Sequence, residues 1–301
     1  MSVPLAYMGV ILIWSTTPLA IQWSGQEVGF LFGITSRMLL GVIAGLTVAV
    51  VMGIRLPWHA AARLTYLAAG LGLFFAMLSV YWASQFIPSG WISVLFGIAP
   101  IITGIMATIW LGEQALTPVR VTGMLLGVAG LAVMLLEAQS LGASAPLGIA
   151  GMLFSVTAYS ASAVAIKRIG ADIPALATTI GGLAVTVPLL LAVYYLSGNP
   201  LPHAIPARTA ISIIYLGIIG SVIGFALYYY VLRRVEATRV ALITLITPVI
   251  ALLLGHTLNG EPLQLEVWVG TSAILSGLLL FEYGHNMNGW PGRLLAMLTP
   301  E

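Results

Sequence analysis

Residues 99–114 read APIITGIMATIWLGEQ and residues 247–262 read TPVIALLLGHTLNGEP. Each is an apolar run that opens beside a proline, which removes a backbone donor. Each closes on Gly-Glu, where a carboxylate meets the unfavourable negative pole of a helix. Pro100 answers to Pro248, Gly112 to Gly260 and Glu113 to Glu261, each 148 residues later without a gap. The same two oddities in the same register mark an internal repeat. Tyr81 and Tyr229 share that offset, and Trp14-Ser15 resembles Tyr159-Ser160 more loosely.

Around these runs the chain is 60% hydrophobic and 7% charged, with a mean hydropathy of +1.06. A soluble protein carries roughly 25% charged residues, so most of this surface must face lipid or other helices. A net charge of +2 is too small for a nucleic-acid surface. The absence of cysteine removes thiolate nucleophiles, disulfides and thiol metal sites by counting. The first residues, MSVPLAYMGVILIW, hold no Lys or Arg and no small-residue cleavage pattern, which predicts a retained span.

Cutting at polar and Gly/Pro punctuation gives ten runs near the ~20 residues a helix needs to cross a bilayer. They are Val3–Gln22, Gly29–Met52, Leu64–Phe86, Gly90–Leu111, Val119–Leu136, Leu147–Ile166, Pro174–Leu196, Thr209–Leu232, Thr238–Leu258 and Gln264–Phe281. Membrane barrels use shorter, alternating strands, so the expected fold is an all-α integral membrane bundle. The expected division is residues 1–140 for the first five spans, 141–282 for the second five and 283–301 for a short cytoplasmic tail.

Basic residues in short loops stay on the cytoplasmic side. Arg55, Arg63, Arg120, Lys167, Arg168, Arg233, Arg234, Arg239 and Arg293 fall in the even connections and the tail. The odd connections hold only Arg208, which predicts cytoplasmic termini in a cytoplasmic (inner) membrane. Five spans per repeat is odd, so the second copy would enter from the opposite face. Pro100 and Pro248 then lie near the midplane in oppositely running halves, as in carriers that rock about a central site.

The stretches VYWASQFIPSGWISVLFGIAPIITGIMATIWLGEQALTPVRVTGMLLGVAGLAVML (80–135) and ALYYYVLRRVEATRVALITLITPVIALLLGHTLNGEPLQLEVWVGTSAILSGLLL (226–280) resemble the drug/metabolite transporters with two EamA-type repeats. The resemblance runs from Pro4 to Glu282. It implies ten helices and export of amino acids or other small metabolites. It also implies a cavity between helices 1, 3 and 4 of one half and 6, 8 and 9 of the other. That places Trp14, Tyr81, Gln85, Tyr159 and Tyr229 near the pathway. Ser89 stands where such repeats usually have alanine.

Tyr81 and Gln85 are four apart, which predicts a polar stripe on one helix face. Arg37 lies about 12 Å into its run by helix rise, either as an anchor near Glu27 or as a contact for a substrate carboxylate. The prolines read as hinges or as static kinks. Glu113 and Glu261 read as caps of the following helices, with Arg120 as a partner for the first, or as gates. His256 fits a hydrogen-bonded interfacial residue, and Trp91, Trp110 and Trp268 fit an aromatic belt. Glycines 41, 45, 123, 127 and 130 form small faces that suit packing within the chain or in a homodimer.

Lys167 is the sole lysine, so no phosphate-binding loop exists. The four histidines are scattered, with no HExxH and no GxSxG, which argues against an enzyme, a metal site or a cofactor. The expected partners are a small-molecule substrate and the lipid bilayer. A passive facilitator or channel and a flippase of a lipid-linked sugar remain open beside a secondary transporter.

Overall fold

The computed structural model describes residues 2–112, 117–138, 142–224, 227, 231 and 237–287. The described elements are helical: α1 (Val3–Gly25), α2 (Phe30–Val51), α3 (Ala60–Ala83), α4 (Ser89–Phe96), α5 (Ala99–Leu111) and α6 (Pro118–Ala138). They continue with α7 (Ala145–Ile169), α8 (Ala175–Leu196), α9 (Ala207–Ile214), a π-helical segment (Tyr215–Ile223), α10 (Ala237–Asn259) and α11 (Leu265–Met287). Counting α4 and α5 as one span, seven helices among the described residues are long and apolar enough to cross a membrane. Shorter apolar helices at Ala207–Ile223, Ile246–Asn259 and Leu265–Phe281 occupy the eighth, ninth and tenth predicted runs.

The two chain halves interleave. α1 packs on α10, α2 on α8 and the π segment, α3 on α7 and α8, α4 on α10, α5 on α7, and α6 on α11. Hydroxyls join the halves where lipid offers no competing water. Ser155 and Ser162 of α7 donate to the Ala76 and Ala68 carbonyls of α3, at 2.8 and 2.9 Å. Thr186 of α8 donates to the Gly70 carbonyl, also on α3, at 2.9 Å.

The small faces are consumed inside the chain. A Cβ built on Gly277 of α11 would stand 2.5 Å from the Gly123 carbonyl oxygen and 2.7 Å from the Gly127 nitrogen of α6. One on Gly130 would meet the Gly270 oxygen at 2.6 Å. Gly41 and Gly45 face Gly217 and Ile180. These helices approach backbone to backbone, the role small residues play in membrane packing.

Trp91 departs from the belt expectation. It is 1% exposed and belongs to the central core with Tyr81 and Leu95. Its ring is carried inward because Gly90 lets α4 press on α10, where a Cβ would stand 2.8 Å from the Leu252 Cα. Trp110, by contrast, is outward-facing.

Candidate functional site

Among the described residues, three polar features interrupt the apolar bundle. The first is the break between α4 and α5. Gly97 donates to the Ser93 and Val94 carbonyls, Ile98 to Leu95, and the chain restarts with Pro100 in the first turn of α5. Proline has no N–H to continue the ladder into the preceding turn, so α4 and α5 are not one unbroken helix. Ser160 of α7 bonds the start of α5 from the opposite half: its hydroxyl donates to the Ala99 carbonyl at 3.3 Å and accepts from Thr103 Oγ1 at 3.0 Å. Beside it the Tyr159 ring, 38% exposed, meets Phe96 edge-on at 5.3 Å. Pro248 differs, since it lies within continuous α10. The two prolines are therefore alike in sequence and unlike in geometry. Replacing Ser160 with alanine would remove both of these bonds between α5 and α7, an effect of about 1–2 kcal/mol. A melting temperature a few degrees lower in detergent is the expected reading, and an unchanged one would show the break to be held by packing alone.

The second feature lies at the bundle end where α1, α3, α8 and α10 finish. Gly260 turns the chain with φ +65°, a conformation glycine adopts without penalty, and Glu261 is thereby folded back. Its Oε1 accepts from the Ser89 N–H at 3.0 Å and its Oε2 from the Gly90 N–H at 3.2 Å. The carboxylate thus caps α4, where the helix dipole is positive. This corrects the expectation that Glu261 caps the helix that follows it; the loop turns the side chain across the bundle instead. Asn259 donates to Glu261 Oε1 and to Gln22 Oε1, both at 2.9 Å, and accepts from Trp23 Nε1 at 3.0 Å. Arg208 stacks over Trp23 at 3.8 Å. His256 is hydrogen-bonded through Nδ1 to the Glu261 carbonyl at 2.9 Å.

The third is Arg37. It is 5% exposed and turned towards the π segment, with Nε and Nη1 lacking a hydrogen-bond partner among the described residues. Among the described residues it makes no bond to Glu27. The π segment widens the helix by one residue per hydrogen-bonded turn, a distortion common at functional sites. At its start the Tyr215 hydroxyl bonds Thr16 Oγ1 of α1 at 2.5 Å.

The remaining site residues are spread more widely than expected. Tyr81 is 0% exposed and its hydroxyl accepts from Ser24 Oγ at 3.2 Å. Gln85 is exposed and donates to the Trp82 carbonyl at 3.1 Å. The stripe they were expected to share does not form, because α3 ends at Ala83 and Gln85 lies in the turn beyond it. Trp14 is half-buried in a cluster with Tyr7, Leu227 and Ile250. Arg120 donates through Nε to the Phe281 carbonyl at 3.0 Å and stacks on its ring. Glu113 and Tyr229 lie outside the described residues. Sequence reasoning named Ser160 only as a repeat match and passed over Asn259, Gln22 and Gly220; among these three only Asn259, in its Asn-Gly-Glu triplet, carried a signal.

A family model described as the EamA-like transporter family matches residues 1–136 and again residues 146–283. This chain belongs to the EamA-like transporter family. It is a membrane transporter, and several of its relatives carry transport names. An uncharacterized transporter of Archaeoglobus fulgidus is 26% identical over 286 residues, covering 90% of this chain and 95% of the relative. The inner membrane transporter YedA of Escherichia coli K12 is 27% identical over 286 residues, covering 93% and 90%. A protein of Streptantibioticus cattleyicolor named a probable terminal-alkyne amino-acid exporter is 23% identical over 282 residues, covering 90% and 93%. One solved crystal structure shares the fold at a TM-score of 0.65 and 22% identity, covering 93% of this chain and 97% of the other.

Proposed function

We propose that this EamA-like protein is a secondary transporter that exports small metabolites such as amino acids across the cytoplasmic membrane. Its ten spans form two inverted five-helix repeats, with both termini in the cytoplasm. The observation that carries this reading is the broken span at Pro100, whose Ala99 carbonyl is held by a hydroxyl from the opposite half. Interrupted helices at a repeat interface suit alternating access, and a single neutral hydrogen bond there costs little to exchange. The Glu261 junction seals the external end by tying α10 to α4, and the lone basic residue of the odd connections, Arg208, stands in that same layer. Trp14, Arg37 and Tyr159 face the pathway, with Gln85 at its external mouth. Pro100 and Pro248 act as the hinges of the two halves.

Purified protein in liposomes preloaded with unlabelled amino acids should take up the same labelled amino acid by counterflow, saturating with concentration. Flux that rises linearly without trans-stimulation would make the protein a facilitator or channel and overturn the carrier reading.

A further inference from the structure

A buried guanidinium without a counter-charge is unfavourable in any protein interior and more so within a bilayer. Arg37 nevertheless sits 5% exposed in α2, with two of its three nitrogens unpartnered. The third, Nη2, lies beside Gly220 of the π segment, 3.8 Å from where a Cβ would stand. That glycine is unlike most of those in the helix contacts. Neighbouring Gly217 is forced by packing, since a Cβ there would stand 2.8 Å from Leu40 Cβ. At Gly220 the nearest atoms are Leu216 Cδ2 at 3.6 Å, Arg37 Nη2 at 3.8 Å and the Tyr215 carbonyl at 3.9 Å, which is room for a methyl group. Gly220 thus leaves methyl-sized room beside Nη2 of a buried cation whose other two nitrogens are unpartnered.

We propose that Arg37 and the π segment at Gly220 form the anion-recognition point of the transported solute, and that the solute is a small carboxylate. A guanidinium pairs with a carboxylate through two parallel charge-assisted hydrogen bonds. The solute then supplies the missing counter-charge and enters most favourably where the protein alone is least satisfied. This rests on the carrier reading above and adds the substrate class to it.

The test uses the full chain purified in detergent. The melting temperature is followed with L-amino acids, short mono- and dicarboxylates, the matching amides and inorganic phosphate. At least one carboxylate should raise it by about 2 °C or more at millimolar concentration, and its amide should not. Arg37→Gln should abolish that response, while the ligand-free variant melts at or above the native temperature because an unpaired charge is gone. Gly220→Ala should fold as well as the native chain and weaken the response at least threefold. An amide as effective as its acid, stabilisation by phosphate alone, or no response to any carboxylate would overturn the proposal. So would a response that survives Arg37→Gln or is unchanged in Gly220→Ala, or a ligand-free Arg37→Gln protein that melts several degrees lower. Counterflow of a solute without a carboxylate, unaffected by Arg37→Gln, would remove this site and leave the carrier standing. Absence of counterflow for every solute would remove the carrier reading instead.

Discussion

Gly277→Ala is expected to lose nearly all folded protein. The new methyl group would stand 2.5 Å from the Gly123 oxygen and 2.7 Å from the Gly127 nitrogen, and neither atom can rotate away because both belong to the α6 backbone. Relief requires the two helices to separate, which strips contact along the whole α6 and α11 pair. Overpacking a tight interface commonly costs about 1–3 kcal/mol, and a backbone neighbour puts this case at about 3 kcal/mol or above. Gly127→Ala is the matched control on the same stripe, since its Cβ would meet Ile101 Cδ1 at 3.2 Å, the movable tip of a side chain. Fluorescence-detected size exclusion should show a monodisperse peak for Gly127→Ala and little or none for Gly277→Ala. Equal peaks would mean that α6 and α11 are held less closely than the glycine contacts require.

Glu261→Ala is expected to have the next largest effect. It strands the Ser89 and Gly90 N–H groups at the start of α4 and one arm of Asn259. Hydrogen bonds to a charged acceptor contribute more than neutral ones, but Glu261 is only half-buried, so the total is placed at roughly 3 kcal/mol. Glu261→Gln should lose about half as much, because an amide has one acceptor oxygen where the carboxylate uses two. In liposomes both variants should raise the reactivity of a cysteine placed at Gln85 towards a membrane-impermeant thiol reagent, in a chain that otherwise has no cysteine. Unchanged melting and unchanged labelling would reduce the Glu261 contacts to an incidental pairing.

The helical runs were legible because an apolar segment long enough to span lipid has few other uses. Gly112 and Gly260, matched by position alone, both end helices at positive φ, at +69° and +65°. The partner of Glu261 was not legible. Ser89 lies 172 residues upstream, and no local pattern announces which helix start a folded-back carboxylate will reach. Trp91 suited a belt as well as a core, because an indole is amphipathic and only the close approach at Gly90 decides between them. The Tyr81 and Gln85 pair failed through a helix end that came two residues too early. The π segment YLGIIGSVI has the composition of any membrane helix, so its widening left no trace in the sequence.

The packing of Arg37 against residues 215–223 also bears on how the chain is made. α2 leaves the ribosome long before the segment that covers its arginine, with about 180 residues still to be synthesised. At roughly 5–20 residues per second, that is a wait on the order of ten to forty seconds. During it the guanidinium must borrow water or lipid headgroups, by snorkelling or local thinning of the bilayer. The nascent first half thus carries an arginine that its later-made neighbour covers only once the π segment has been translated.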